Sequence, residues 1–264
     1  MRIFARAPRA VDNAPPENAP GGGSWSSVAR THVGRVRQIN EDRLLNCPER
    51  GLWAVADGMG GHRGGDIAAD IVISALREAS ERPETPLAHD IEAALHRANL
   101  RIREHALSAG GVIGSTVVVL YVTGERACLF WVGDSRGYRL RREGFEQLTR
   151  DHSLVQELVD AGAISPDAAA THPQANVVTR ALGVEAELKI EKRLFPVAAD
   201  DLLLLCSDGL SRSLGDDAMP ARGETDDALA DRLLQSALGR DGTDNITFVA
   251  VRFRACEPNA TRTN

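Results

Sequence analysis

Five short stretches of this sequence carry an aspartate where a strand is predicted to begin or end. Two of them follow strongly apolar runs, Leu52–Ala56 and Leu202–Cys206. The five are Asn40-Glu41-Asp42, Ala56-Asp57-Gly58, Gly133-Asp134-Ser135, Ser207-Asp208-Gly209 and Thr243-Asp244-Asn245. Carboxylates at the ends of buried strands repel one another, and a fold tolerates their convergence when a cation neutralises it. Because few cysteine or histidine side chains accompany these oxygen ligands, the pattern predicts a hydrolase that uses Mg²⁺ or Mn²⁺ rather than zinc.

Three of these aspartates, Asp57, Asp208 and Asp244, are the strongest candidates for metal ligands. Each borders a buried strand and has a small or turn-forming neighbour. Two cations held about 3.5–4 Å apart by shared carboxylates could polarise a phosphoryl oxygen and generate hydroxide at neutral pH. The alternative is that each aspartate only forms a turn or caps a helix. That alternative would be preferred for any one of them alone, but it does not explain all five together.

A glycine-rich loop, Gly58–Gly65, leads from the second stretch into a predicted helix. One interpretation is a phosphate-binding turn at a helix N-terminus. The loop lacks the Walker lysine, and its glycines do not follow the GxGxxG spacing, so a nucleotide site is weakly supported. The other interpretation is a turn that exposes a backbone carbonyl and brings His62 close to Asp57. His62 would then be a candidate general acid, although an isolated histidine is more often a surface residue.

Arg37 is the candidate for binding a phosphate dianion, because a guanidinium group can form two parallel hydrogen bonds to it. The alternative is an exposed ion pair with Glu41 or another acid. The sequence contains no GxSxG or HExxH motif and no convincing cysteine nucleophile, and nothing marks Ser207 as activated. Direct attack by metal-bound water is therefore favoured over a covalent intermediate.

The elements that must position these residues are mainly strands joined by hairpins. Apolar residues at i, i+3 and i+4 predict helices over about 65–80, 87–108 and 226–239, and a short helix fits 153–162. Strands are predicted at 26–31, 43–47, 52–56, 115–122, 127–132, 137–141, 145–148, 188–194, 202–206 and 246–253. Since βαβ alternation is missing, the order predicts an α+β fold of antiparallel sheets packed face to face with helices outside.

Composition indicates how the chain is divided into segments and which kinds of partner it has. Residues 1–24 are rich in Pro, Ala and Gly and are expected to be a disordered arm, 25–253 one globular domain and 254–264 a flexible tail. The net charge of −6 argues against a nucleic-acid or anionic-membrane partner, and no apolar run approaches a membrane span. The four cysteines have no CxxC spacing, which favours free thiols in a reducing cytoplasm.

Motifs over residues 27–253 resemble the PPM, or PP2C-type, metal-dependent protein Ser/Thr phosphatases, in particular the bacterial branch. One such motif means little, but the full set in family order is highly specific. The motifs are Gly-x-Val-Arg-x-x-Asn-Glu-Asp at 34–42, Val-Ala-Asp-Gly-Met-Gly-Gly-His at 55–62, Gly-Ser-Thr at 114–116, Gly-Asp-Ser-Arg at 133–136, Leu-Thr-Arg-Asp-His-Ser-Leu-Val at 148–155, Thr-Arg-Ala-Leu-Gly at 179–183, Ser-Asp-Gly-Leu at 207–210 and Gly-Thr-Asp-Asn-Ile-Thr at 242–247. Two small departures, Ser115 for the commoner threonine and Phe248 for a smaller aliphatic residue, remove no proposed ligand.

The resemblance implies a four-layer α/β/β/α sandwich with two cations, Mn²⁺ or Mg²⁺, in a cleft at one end. By position, Asp57 would bridge the two cations and the Gly58 carbonyl would bind the first. Asp208 and Asp244 would complete the second site. Asp134, together with Asp208, would hold the third cation found in bacterial members.

The resemblance also implies roles for residues around the cations. Glu41 and Asp42 would act mainly through metal-bound water, Arg37 would bind the phosphate and His62 would match the proposed general acid. The segment 151–183 would be the mobile flap beside the cleft, where the choice of substrate is made.

The expected function is hydrolysis of phosphoserine and phosphothreonine in proteins by metal-activated water. The expected partners are phosphoproteins and a bacterial Hanks-type Ser/Thr kinase, and the protein is expected to be a cytoplasmic monomer. Phosphatases of this kind also occur beside type VI secretion systems. One alternative is a non-catalytic phosphoprotein-binding module on the same fold, against which the intact Asp57, Asp208 and Asp244 argue. Another is an ATPase that uses the glycine-rich loop.

Overall fold

A computed structural model of the chain describes residues 23–60, 64–81, 88–141, 144–199, 201–215, 219–221 and 223–255. His62 lies outside the described residues. So do most of the predicted N-terminal arm and nearly all of the predicted tail.

The described residues form eleven strands in two antiparallel sheets. The strands are β1 (Gly23–His32), β2 (Asp42–Cys47), β3 (Leu52–Gly60), β4 (Ile113–Ser115), β5 (Val117–Thr123), β6 (Arg126–Val132), β7 (Arg136–Arg141), β8 (Gly144–Gln147), β9 (Glu191–Pro196), β10 (Leu202–Cys206) and β11 (Ile246–Ala255). The first sheet has the order β1-β11-β10-β7-β8, and the second has the order β2-β3-β5-β6-β9 with β4 paired to β3. Every strand pair is antiparallel, as the hairpin-rich order predicts.

The helices cover the outer faces of both sheets. They are α1 (Gly65–Ser80), α2 (Ala88–Ala109), α3 (Leu154–Asp160), α4 (Pro166–Ala170), α5 (Asp208–Ser211) and α6 (Asp226–Arg240). The helices α1 and α2 pack on the second sheet, and α6 packs on the first. The predicted four-layer α/β/β/α sandwich is thus confirmed.

Strand β5 shows why the sequence forms this sandwich. Val118 and Leu120 point into the core between the sheets, whereas Val117 and Val119 point towards α1 and α2. A strand buried on both faces must be apolar at every position, because successive side chains alternate between the faces. The strand predicted at 115–122 therefore lies at the centre of the second sheet, between β3 and β6.

The observed bounds differ from the prediction in a few places. The helix α1 begins and ends as predicted, but β9 lies three residues later at its start than the predicted strand. The four-residue α5 was not predicted, since so short a helix has no apolar periodicity to detect. Cys128 and Cys206 are buried free thiols, as expected. None of the helices described combines the length and apolar character needed to cross a membrane.

Candidate metal centre

The second sheet brings Asp42 and Asp57 together. Asp42 is the first residue of β2, and its Cα partner across the ladder is Asp57 on β3. Directly opposite residues on neighbouring strands lie side by side, so two like charges would repel each other here. The two carboxylates stand at the open end of the hairpin that β2 and β3 form.

The first sheet brings three more aspartates to the same end of the sandwich. Strand β10 ends at Cys206, which pairs with Arg136 at the start of β7 and with Phe248 near the start of β11. Asp208 follows β10, Asp134 precedes β7 and Asp244 precedes β11. Antiparallel pairing thus places the end of one strand beside the beginnings of its two neighbours.

Asp42 is the most deeply buried of these acids, with 2% of its surface exposed. The Ser207 hydroxyl donates a hydrogen bond of 2.8 Å to its Oδ2 atom, whereas its buried Oδ1 atom has no hydrogen-bond partner in the described part of the chain. Burial raises the pKa of Asp42 to about 7, although hydrogen bonds from Ser207 and Thr247 oppose the shift. The carboxylate is therefore only half satisfied by protein groups.

Asp57, Asp134 and Asp208 are half-buried at the cleft. Burial raises the pKa of Asp57 well above its usual value, and the neighbouring Asp42 and Asp208 raise it further. The pKa of Asp134 is raised to about 7, first by burial and then by Asp208. Burial also raises the pKa of Asp208, with Arg212 opposing the change. Each shift comes mainly from burial, and neighbouring carboxylates add to it.

Two of the quoted motifs fix the backbone of Asp57. The Asp57 carbonyl accepts hydrogen bonds from the Thr116 amide at 2.9 Å and from the Ser115 hydroxyl at 3.1 Å. The Thr116 hydroxyl accepts one from the Asp57 amide at 3.3 Å and lies 2.6 Å from the Ser135 hydroxyl. The Gly-Ser-Thr and Gly-Asp-Ser-Arg motifs therefore hold the acidic strand end in place. The departure at Ser115 keeps the hydroxyl that this requires.

Glycine is required at Gly58 because the backbone packs so closely there. A Cβ atom on Gly58 would lie 1.9 Å from the Gly65 carbonyl oxygen and 2.8 Å from the Glu41 carbonyl oxygen. The Gly58 amide in turn donates to the Glu41 carbonyl at 3.3 Å. This packing joins the start of α1 to the residues that precede β2. Sequence reasoning had connected Gly58 with a cation only through its own carbonyl.

Asn245 connects two of the acidic stretches, a role that sequence reasoning missed. Its side-chain oxygen accepts a hydrogen bond of 2.8 Å from the Glu41 amide. Its side-chain nitrogen donates to the carbonyls of Val33 and Ile39 at 2.9 and 3.0 Å. One amide side chain thus ties the loop before β2 to the loop that carries Asp244.

Two arginines contact the acids from outside. The Arg37 guanidinium, 51% exposed, donates to Asp244 Oδ2 at 2.9 Å. The ion pair considered as an alternative therefore forms, with Asp244 rather than Glu41. Arg212 lies 3.0 Å from Asp208 Oδ2 and 3.3 Å from Asp244 Oδ2. Sequence reasoning gave Arg212 no role, since only Asp208 is its neighbour along the chain, in α5, whereas Asp244 lies on a distant loop.

One further acid belongs to this region. Asp66, in the first turn of α1, has a buried Oδ1 atom without a hydrogen-bond partner among the described groups. Burial raises the pKa of Glu41, Arg37 lowers it, and Asp66 raises it. Asp66 therefore adds negative charge beside Glu41, and its place in the first helical turn was the signal that could have identified it.

The donor set suits a hard divalent cation. It consists of carboxylates and backbone carbonyls, and three buried carboxylate oxygens, on Asp42, Asp66 and Asp208, have no hydrogen-bond partner among the described residues. In the described part of the chain, no three His, Cys, Asp or Glu side chains form a group that could hold an ion by themselves. Mg²⁺-type ions keep several of their own waters and need only one or two carboxylates, so an open arrangement of this kind fits them.

The described residues thus bring together most of the predicted site. Glu41, Asp42, Asp57, Gly58 and Asp134 lie at the end of the sandwich that also holds Asp208, Asp244 and Arg37. His62 lies outside the described residues, so its role stays a prediction.

Comparisons with known proteins agree with this geometry. A family model described as protein phosphatase 2C matches residues 31–239. The serine/threonine phosphatase Stp of Listeria innocua is 36% identical over 236 residues, which cover 84% of this chain and 93% of that protein. The solved structure of PppA, a key regulatory component of the T6SS in Pseudomonas aeruginosa, is 39% identical with a TM-score of 0.77, covering 87% of this chain and 97% of that one. The catalytic domain of PstP in complex with two manganese ions is 33% identical with a TM-score of 0.77, and the match covers 87% of this chain and 98% of that one.

Proposed function

The chain belongs to the protein phosphatase 2C family, and from that premise we propose that it hydrolyses phosphoserine and phosphothreonine esters in proteins with the help of divalent cations. The observation that carries the proposal is the convergence of five aspartates, two of them with buried oxygens that lack a partner. Metal dependence is a property of this family, and the number and identity of the ions are part of the proposal.

The residues we assign to the cations are those at the strand ends. Asp57 and the Gly58 carbonyl would hold one ion, and Asp57, Asp208 and Asp244, with bound water completing the coordination, would hold a second. Asp134 would share a third with Asp208. The relative crystallised with two manganese ions supports Mn²⁺ and a count of at least two. When bound, such ions polarise a phosphoryl oxygen and lower the pKa of water towards neutrality.

The remaining residues would position the reactants. Arg37 is half exposed at the edge of the cleft, so its guanidinium can turn from Asp244 to a phosphate dianion. Glu41 and Asp42 would accept hydrogen bonds from ordered water and so orient it for in-line attack on phosphorus. His62 would give its proton to the departing serine or threonine oxygen.

The decisive experiment measures release of phosphate from phosphoserine, phosphothreonine and phosphotyrosine peptides, with Mn²⁺ and then with EDTA. We expect turnover of the first two peptides, loss of turnover in EDTA and recovery when Mn²⁺ is restored. The variant Glu78→Gln, which removes an exposed acid paired with Arg101, is the matched control and should retain full activity.

The same experiment separates the alternatives. A phosphopeptide that binds with Mn²⁺ present but is never hydrolysed would indicate the non-catalytic module. Release of phosphate from ATP together with saturable ATP binding would indicate the ATPase.

The physiological counterpart we propose is a bacterial Hanks-type Ser/Thr kinase and its phosphorylated targets. The similarity to PppA makes phosphoproteins of a type VI secretion system the first to test. A phosphoproteome from a deletion strain should show phosphothreonine sites that accumulate there and are removed by the purified enzyme.

A further inference from the structure

A cavity of about 570 Å³ lies between the acidic end of the sandwich and the segment 151–183. Asp134 and Asp208 line one side, and residues of α3 and α4 line the other. Arg212 lies at this boundary, directly after α5. Arg212 is not among the residues proposed to act in catalysis or to bind a cation.

Arg212 contacts three segments through one guanidinium group. Its Nη2 atom lies 3.0 Å from Asp208 Oδ2 and 3.3 Å from Asp244 Oδ2. Its Nη1 atom donates a hydrogen bond of 2.6 Å to Asn176 Oδ1. Asp208 and Asp244 follow β10 and precede β11, whereas Asn176 belongs to the segment 151–183. The side chain therefore joins the acids directly to the segment that covers the cavity.

The two acids that Arg212 contacts are also proposed cation ligands. A guanidinium group and a divalent cation bear charge of the same sign and draw on the same two carboxylates. Arg212 contacts their Oδ2 atoms, and at Asp244 the Oδ1 atom already accepts a hydrogen bond from the Asn245 amide. A cation bound between Asp208 and Asp244 would therefore repel Arg212 and compete with it at Asp244 Oδ2. Arg37 also contacts Asp244, but no contact joins it to the segment 151–183 among the bonds described.

We propose that Arg212 is a positioning residue that holds the segment 151–183 against Asp208 and Asp244 in the absence of cations and is displaced when cations bind. This inference rests on the proposed function, because it takes Asp208 and Asp244 to be cation ligands. Loading with cations would thereby loosen the hydrogen bond to Asn176 and release the cover of the cavity. Substrate would then meet an open cleft only after the enzyme holds its ions.

The first test is a calorimetric Mn²⁺ titration of the full chain. Because partly exposed ion pairs are weak, Arg212→Ala should bind Mn²⁺ only about three- to tenfold more tightly than wild type. Asn176→Ala, which removes one contact that cation binding would loosen, should bind Mn²⁺ slightly more tightly than wild type. The control Arg101→Ala, which breaks an exposed pair with Glu78, should bind with wild-type affinity. A merely structural arginine would not give tighter binding when removed. An unchanged or weaker affinity of Arg212→Ala overturns the inference.

The second test follows amide hydrogen exchange at Ala175 and Val177, which donate to the His172 and Gln174 carbonyls beside Asn176. We expect Mn²⁺ to speed their exchange in wild type. Asn176→Ala should exchange fast even without Mn²⁺ and change little when it is added. Exchange at Thr179, whose amide donates to the His152 carbonyl at 2.8 Å, should stay constant as an internal reference. Insensitivity of Ala175 and Val177 to Mn²⁺ in wild type overturns the inference.

The two tests separate this inference from the proposed function. If wild type binds no Mn²⁺, the proposed function fails, and the inference fails with it. If wild type binds Mn²⁺ but Arg212→Ala shows the same affinity, only the inference fails. Should Arg212→Ala not fold, the exchange of Asn176→Ala still decides, because unchanged protection without Mn²⁺ excludes the tether.

Discussion

An aspartate flanks strand β10 at each end, and the rest of the protein satisfies one of the two carboxylates but not the other. Asp201, just before the strand, is 1% exposed. Both side-chain oxygens accept hydrogen bonds from the Arg141 guanidinium, and the Ala198 amide donates to Oδ2 at 3.0 Å. This carboxylate receives from its own chain the charge and the donors that burial requires.

The carboxylate of Asp208, just after the strand, is only partly satisfied. Among the described residues its buried Oδ1 atom has no hydrogen-bond partner, and its Oδ2 atom forms an ion pair with the partly exposed Arg212. Asp244 and Asp134 add further negative charge nearby. Since the fold can satisfy a buried aspartate at one end of the strand, the deficit at the other end indicates a site completed by a ligand. Substitutions at the two ends of β10 test this contrast between a carboxylate that the protein satisfies and one that it does not.

The largest expected effect is on catalysis. Asp57→Asn should lower the Mn²⁺-dependent turnover of a phosphothreonine peptide by on the order of 10³-fold, because it removes a central carboxylate from the site. Asp201→Asn should leave turnover per folded molecule unchanged, since Asp201 lies at the opposite end of β10. Steady-state rates normalised to the folded fraction by circular dichroism check both. Full activity of Asp57→Asn would contradict the assignment.

The second effect concerns stability and has opposite signs at the two ends. Asp201→Asn should lower the free energy of unfolding by about 1.5–3 kcal/mol, because it removes the buried carboxylate that accepts charge-assisted hydrogen bonds from Arg141. In EDTA, Asp57→Asn should raise the free energy of unfolding, since it removes a carboxylate that burial and its neighbours destabilise. Urea titrations in EDTA measure both changes. A loss of stability in both variants would remove the contrast.

The third effect is a pH dependence of the ion-free protein. The pKa values of Asp42 and Asp134 are raised from 3.8 to about 7, mainly by burial, so the folded chain holds protons that the unfolded chain has already lost. The free energy of unfolding in EDTA should therefore fall as the pH rises from about 4 to about 7. Mn²⁺ requires deprotonated carboxylates, so its stabilising effect should grow over the same range. Urea titrations at several pH values, with Asp42→Asn as the variant of reduced slope, check this prediction.

The smallest effect concerns a residue that only supports an acid. Ser207→Ala removes the 2.8 Å hydrogen bond to Asp42 and should weaken Mn²⁺ binding by at most about tenfold, because Asp42 is proposed to hold water that binds the ions. Ser211→Ala, which removes only a 3.4 Å bond to the Asp208 backbone carbonyl, serves as the control. Calorimetric titration of both variants would show whether Ser207 acts through the site.

The sequence predicted the four layers and the gathering of the acids, because both follow from local patterns. Apolar alternation and period-3.6 stripes set the strands and helices, and strand pairing then brings their ends together. The bounds of α1 and β10 were predicted correctly, whereas β9 was displaced because charged residues interrupt its apolar pattern.

The supporting contacts could not be predicted in this way. Ser207 reaches Asp42 across 165 residues, and Asn245 reaches Glu41 across 204. Such pairs depend on how two sheets stack, which no local pattern specifies. Arg37 illustrates the same limit, because both its candidate roles were recognised but its acidic partner was not identified. The role of His62 in proton transfer stays a prediction.

The most direct test is a crystal structure of the Mn²⁺-soaked protein, with anomalous diffraction collected at the manganese absorption edge. We expect at least two manganese peaks at the end of the sandwich, within bonding distance of Asp57 and Asp208, and none beside Asp201. A saturated crystal with no peak among Asp57, Asp208 and Asp244 would contradict the account.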